Sequence, residues 1–160
     1  MLKAYDGCIG VKTGYTQLTG RSLVSAAERN GLRLIGVTID APDDWADHTE
    51  MLDFGFSTVH AIKLIDAGEY VYSLPIIGGD VDSITVQSKD ELKYIYTGVT
   101  PDVTKQIYLP RYATAPIKTG DTVGSIVFKI GNKVIAITDI IAMGSAKEAK
   151  KGLFGRSEQH

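Results

Sequence analysis

Lys-Thr-Gly-x-Thr occurs twice along this chain of 160 residues, at Lys12–Thr16 and at Lys118–Thr122. The pattern joins an ammonium, two hydroxyls and a glycine. On a sheet strand such groups are held rigidly near a developing charge, beside backbone that can pair with an extended peptide. The letters do not separate the two copies, so their flanks must. The first follows the apolar run Cys8–Val11 and precedes "YTQLTGR" and a strand able to pair back beside it. That places it at or near a strand end. The second has Pro116 before it, with Gly120-Asp121 and Gly124 inside or just after it. This is the composition of a turn leading into a strand, where the lysine is solvated and the threonine is a turn residue. The chemistry is therefore assigned to the Lys12 copy.

The elements around Lys12 read as strand, turn, strand, tight turn, strand from Ile9 to Asp40. Strands are expected at Ile9–Val11, Leu23–Ala27 and Leu34–Ile39, with Asn30-Gly31 as a two-residue hairpin turn. In "APDDWADHTEMLDFGFSTV" the period turns helical. Trp45, Met51, Leu52 and Phe56 are expected on one face, with Pro42 in the first turn and Asp43, Asp44 and Asp47 at the positive end of the helix dipole. Beyond about Ile65 come short strand candidates: "EYVYSLPIIGG", "SITVQS", "LKYIYT", "KQIYLP", "GSIVFKI" and "KVIAITDIIAMG", the last two joined at Gly131-Asn132. Many small strands with Gly, Pro, Asp and Asn between them indicate an all-β sandwich or barrel. In one of them, Ile126, Phe128 and Ile130 alternate with Ser125, Val127 and Lys129, as a strand with one buried face requires. The fold class is α+β. Three strands and a helix fill residues 1–65, a small all-β domain fills 66–146, and 147–160 form a tail.

Composition removes several function classes. A net charge of -2 gives no electrostatic reason to bind nucleic acid or an anionic membrane. The cationic cluster Lys147, Lys150, Lys151 and Arg156 reads as a solvated tail. Cys8 is the single cysteine, set in an apolar run where a small buried thiol is expected. No disulfide can form within the chain. His48, His60 and His160 offer no pair at metal-ligand spacing, so neither a metal nor a cofactor is expected. "MLKAYDG" is not read as a signal peptide, since no apolar segment follows it, and no stretch has the length of a membrane span.

With these residues in place, the stretch "DGCIGVKTGYTQLTGRSLVSAAERNGLRLIGVTIDAPDDWADHTEMLDFGF" resembles the rear part of a transpeptidase-like domain. The domain is that of the D-alanyl-D-alanine carboxypeptidases, the low-molecular-mass penicillin-binding proteins. "KTGYT", "GRSLVSAAER", "LRLIGV" and the closing "LDFGF" carry the likeness. "GEYV" and "APIKTGDTVGSIVFKIGNKVIA" extend it to that family's small β-rich domain, from about Tyr5 to Gly144. The resemblance implies a partial transpeptidase/β-lactamase-like antiparallel sheet with one C-terminal helix, followed by a sandwich-like domain. It also implies a serine peptidase that removes the terminal D-alanine of peptidoglycan stem peptides through an acyl-serine, and that β-lactams trap. Lys12 would then supply positive charge to the proton network and the substrate carboxylate, and Thr13 and Thr16 would bind that carboxylate. Gly14 would admit the substrate, and the Tyr15 N–H would be an oxyanion-hole donor.

The family's other two motifs, Ser-x-x-Lys and Ser-x-Asn, do not occur in these 160 residues. Some members carry an arginine after the third strand. Asp40-Ala41-Pro42 stands there, which shifts carboxylate recognition onto Lys12 and the threonines. The expectation is a fragment of an exported, envelope-located enzyme that is inactive alone. Part of its sheet would be uncovered, so dimerisation, swapping or partial disorder of the first unit is expected. Membrane attachment would come only through an anchor beyond the tail, where Leu153 and Phe154 are too few to hold a membrane. The alternative is a non-catalytic binding or spacer module at the cell wall. A class A β-lactamase is disfavoured, because those enzymes have no β-domain after the closing helix.

Overall fold

A computed structural model describes residues 3–149. Lys150, Lys151, Leu153, Phe154 and Arg156 of the expected tail lie outside them. The described residues are mostly β with one helix, and they divide into two compact units. Of the described residues, one unit holds those up to Ile62 together with Tyr94–Pro101, and the other holds Lys63–Lys93 and those from Asp102 on.

The first unit is built on β1 (Cys8–Thr16), β2 (Gly20–Arg29) and β3 (Leu32–Ile39), an antiparallel sheet in the order β1-β2-β3. The Asn30-Gly31 turn closes β2 onto β3 with both residues at positive φ (51° and 76°), the conformation that this dipeptide favours. All three strands run longer than their apolar runs. Lys12–Thr16 forms the second half of β1 rather than a loop beyond it.

Helix α1 (Asp44–Thr58) covers one face of this sheet. Its buried residues are Asp44, His48 and Leu52, spaced four apart. The expected apolar face therefore needs correction. Leu52 is buried and Phe56 half-buried, but Trp45 and Met51 are 47% and 40% exposed on the flanks. Two polar residues take the central stripe because the sheet offers them partners. Ser25 Oγ lies 2.6 Å from His48 Nδ1, and Thr38 Oγ1 lies 3.0 Å from Nε2. Gly36 leaves room for the ring, since a Cβ there would stand 3.2 Å from Nδ1. Pro42 precedes the helix cap, Asp43, instead of entering the first turn. Leu23, Ala27, Leu52 and Tyr5 complete the core of this unit. Tyr5 is pushed up to about 12 by burial and by the hydrogen bond it donates to Asp53.

The helical period also ends earlier than the sequence indicates. Helix α1 stops at Thr58, and β4 (Val59–Ile65) follows directly. The strands after it are β5 (Val71–Ile77), β6 (Ser83–Ser88), β7 (Leu92–Thr97), β8 (Val103–Tyr108), β9 (Ala113–Thr114), β10 (Thr122–Ile130) and β11 (Lys133–Ala142). Six of them form one sheet in the order β8-β10-β11-β6-β5-β9, while β4 pairs with β7 alone. The core of the second unit is aliphatic, with Leu74, Val86, Ile126 and Ile140 wholly buried and Phe128 almost so. Ile126 and Phe128 point inward as their alternation requires, and Val127 is buried on the opposite side of β10.

Two expectations test this packing. Ile126→Ala should cost the second unit about 2–5 kcal/mol in urea unfolding, the range for a large-to-small change at a closed core site. Burial holds the His48 imidazole below its ordinary value, against the opposing pull of Asp44 and Asp47. The folded chain thus resists protonating it. Its contribution to stability is complete above the unfolded value near about 6.5, and is lost as pH falls towards the lower folded value. The stability advantage of wild type over His48→Gln should accordingly shrink between pH 7 and pH 5 when both are unfolded in urea.

Candidate functional site at the edge strand

Strand β1 is an end strand of the three-stranded sheet, so one side of its backbone has no ladder partner among the described residues. Residues Lys12 to Thr16 all lie exposed along it. The pleat then divides them. Lys12 stands opposite Val24, which stands opposite Val37, and Gly14 stands opposite Ser22 and Ile39 in turn. These residues face away from α1. Thr13 is paired with Leu23 and Tyr15 with Arg21, on the face that α1 covers.

The Lys12 ammonium donates to the carbonyl of Thr13 at 3.0 Å, an exposed contact that holds it close to its own strand. Around it, Val24, Ile35, Val37 and Ile39 leave an exposed apolar surface. Thr16 turns to the hairpin: its Oγ1 accepts from the Thr19 N–H at 3.0 Å and lies 2.6 Å from the Thr19 hydroxyl. That geometry closes the β1–β2 turn.

On the other face, Thr13, Gly14, Tyr15, Arg21, Asp44 and Trp45 line an open cleft of about 490 Å³. Three of these residues, Arg21, Asp44 and Trp45, come from beyond the motif and were not singled out from sequence as site residues. Arg21 donates through Nε and Nη2 to the two oxygens of Asp44, at 3.3 and 3.0 Å. Asp44 belongs to the acidic group expected to stabilise the helix start. It lies in the first turn, but its carboxylate is engaged by Arg21, and Asp43 makes no side-chain cap bond. Arginine at the second position of a strand gives no signal by itself. Its counterpart lies 23 residues away across a helix boundary.

The second Lys-Thr-Gly lies in a turn. The Lys118 N–H donates to the Asp121 carboxylate, the Asp121 N–H donates back to the Lys118 carbonyl, and Thr119 meets Ser145. Strand β10 begins only at Thr122. Cys8 is half-buried against the core of the first unit. Among the described residues no group of three His, Cys, Asp or Glu side chains could hold a metal ion, and no helix is long and apolar enough to cross a membrane.

D-alanyl-D-alanine carboxypeptidase DacA of Haemophilus influenzae is 29% identical over 153 residues, covering 92% of this chain and 38% of that protein. D-alanyl-D-alanine carboxypeptidase DacF of Bacillus subtilis is 29% identical over 154 residues, covering 93% and 40%. The chain thus spans about two-fifths of the length of these curated relatives. Among solved structures, penicillin binding protein 5 from Haemophilus influenzae aligns with a TM-score of 0.64 at 26% identity, covering 88% of this chain and 43% of that one. The D-alanyl-D-alanine carboxypeptidase DacD from Francisella tularensis aligns at 0.52 and 26%, covering 92% and 38%. Residues 60–148 match the family described as penicillin-binding protein 5, C-terminal domain, with the edge-strand site lying before the matched span. This chain belongs to the penicillin-binding protein 5 C-terminal domain family.

Proposed function

We propose that this chain is part of a serine-type D-alanyl-D-alanine carboxypeptidase of the cell envelope, acting outside the cytoplasm on peptidoglycan stem peptides. The observation that carries the reading is the exposed strand Lys12–Thr16 at the edge of its sheet. Its free backbone can add the D-alanyl-D-alanine end as one more strand, with Lys12, Thr13 and the Tyr15 N–H arrayed along it. Gly14 supports the same reading, because it leaves the strand surface open beside Ser22. The curated relatives bear the carboxypeptidase name over nearly the whole of this chain's length.

In the reaction so proposed, a serine attacks the carbonyl of the penultimate D-alanine, its proton passing to the amine of the terminal D-alanine, which leaves. Water then hydrolyses the resulting acyl-serine to free the enzyme. The N–H of Tyr15 donates to the carbonyl oxygen as it gains negative charge, and the Lys12 ammonium favours the ionised state around it. That serine must come from outside these 160 residues, because no serine here is followed by lysine three residues later. The chain alone is therefore inactive, and β-lactams acylate only the protein that carries the serine. No metal or cofactor enters the scheme.

A second reading, a non-catalytic binding or spacer module at the cell wall, is favoured by one observation. The family match falls on the β-rich part and not on Lys12–Thr16.

Three outcomes test these readings. A fluorescent penicillin should form no covalent adduct with the isolated chain on a denaturing gel, and a stoichiometric adduct would sink the assignment of the nucleophile elsewhere. Gly14→Ala should leave thermal stability within about 0.5 kcal/mol of wild type, since the added methyl meets only the Ser22 Cβ at 4.0 Å. In the parent enzyme it should slow acylation, and unchanged acylation would favour the spacer reading. The apolar face of Val24, Ile35, Val37 and Ile39 should make the isolated chain self-associate in light scattering.

A further inference from the structure

We propose that the hollow lined by Arg29, Asn30, His60 and Tyr96 is a binding site for a phosphate-type oxyanion. It lies within the first unit, at the end of β2 away from the motif. Gly20 of that strand is paired with Thr16, whereas Arg29, nine residues further on, is paired with Leu32. At about 3.3 Å per residue, the two places stand roughly 30 Å apart along the strand. The inference therefore goes beyond the edge-strand reading and does not depend on it.

The lining chemistry is the first argument. The hollow has a volume of about 240 Å³ and is built by three segments: the β2–β3 turn, the junction of α1 with β4, and β7. Among the described residues no acidic side chain lines it. Its polar side chains are a guanidinium, an amide, an imidazole and a phenol, all able to donate. Tyr96 shares a hydrogen bond with Thr100, and its ring packs on that of His60 with centroids 5.4 Å apart. Among the described residues the Asn30 amide and the His60 imidazole have no hydrogen-bond partner, which leaves both open to a ligand.

The second argument is a guanidinium fixed in place. Arg29 packs against the rings of Tyr5 and Phe56, 4.6 and 4.7 Å from their centroids. Its Nε and Nη2 donate to the Asp6 carbonyl at 3.2 and 3.1 Å, which uses two of the five N–H donors. Those contacts suffice to tether the Tyr5 segment to the helix. The remaining donors lie in the guanidinium plane, the direction from which a phosphate oxygen is bound. Phe56 lines the hollow too, so the stacked group stands at its wall.

The opposing charges near the hollow are already engaged. Asp53 accepts from the Tyr5 hydroxyl at 2.7 Å and stands 3.7 Å from Arg29 Nη1, while an Asp6 carboxylate oxygen stands 3.6 Å from Nε. At the negative end of α1, the Ser57 and Thr58 hydroxyls donate to the Phe54 carbonyl, and the Val59 N–H donates to that of Gly55. These groups limit the affinity without closing the site. A tetrahedral oxyanion offers acceptors in several directions at once, as donors from three segments require, whereas a flat carboxylate satisfies fewer of them. Soluble phosphate esters and phospholipid headgroups share this chemistry.

The test is a titration of the 15N-labelled full chain at constant ionic strength, following the amides of Asn30, Gly31 and His60 and the Arg29 Nε–H. The probes are glycerol 3-phosphate, acetate, and vesicles of phosphatidylglycerol and phosphatidylcholine in equal parts. Because Arg29 also anchors the Tyr5 segment, the main variant is N30G/H60F. It keeps the positive φ of the turn and the ring contact with Tyr96. R29K is the second variant, keeping the charge without the planar edge. The expected result is saturable shifts confined to the hollow with glycerol 3-phosphate, and binding at least about tenfold weaker in both variants. Sedimentation of wild type with the vesicles, lost in N30G/H60F, would uphold the site and assign it to a headgroup. Binding of the soluble ester without vesicle binding would uphold it for a phosphate ester in solution or on a polymer. Equal binding of the ester to wild type and N30G/H60F would overturn the proposal, as would acetate binding as tightly as the ester. Shifts spread evenly over the exposed lysines and arginines would also overturn it.

Discussion

The first unit depends on His48 bridging Ser25 and Thr38, hydroxyls on two neighbouring strands, with both ring nitrogens engaged. This contact seats α1 on the sheet at a place where an aliphatic side chain would leave the buried Ser25 hydroxyl and the half-buried Thr38 hydroxyl without this partner. Its distance from Leu52 and from Asp44 is one helical turn each way, so a single buried stripe runs from the core to the cleft. The position of Asp44, and through it the orientation of Arg21, follows from that seating. No buried side-chain nitrogen or oxygen among the described residues is left unpaired, so this polar stripe is fully satisfied.

The same seating explains why the two faces of the sheet differ. One face meets α1 and buries Leu23, Ser25 and Ala27, while the other leaves Val24, Ile35, Val37 and Ile39 open. Apolar residues on both faces of a strand are the pattern of a sheet covered on both sides. The motif strand lies between these environments. Lys12 points to the open apolar face and Thr13 to the cleft, so a peptide added at the edge would meet different chemistry on its two sides.

Much of this was legible in the sequence where the determinants are local. Asn30-Gly31 specifies its turn because both residues tolerate positive φ. The two Lys-Thr-Gly copies separate by their neighbours: Pro116 and Gly120 make a turn of one, and the apolar run into Val11 makes a strand of the other. Hydrophobicity alone is a poor guide to burial on the helix face. Trp45 and Met51 satisfy the periodicity, but the room left by Gly36 and the hydroxyls of Ser25 and Thr38 select His48 instead. Strand β4 is not legible in the sequence for a related reason. Its apolar residues continue the run from α1, and only pairing with β7 fixes them as extended.

By itself the sequence determined the turn chemistry, the alternation that gives β1 its two faces, the identity of the motif strand and the family likeness. Each rests on residues within a few positions of one another, where sterics and hydrogen bonding act without reference to the rest of the chain. Only the tertiary structure decided which residues share the cleft. Arg21 and Asp44 are 23 positions apart, and nothing local to either predicts their meeting. A helix docked in one rotation brings the acid beneath the arginine, and that rotation is set by a buried histidine whose partners lie on two different strands.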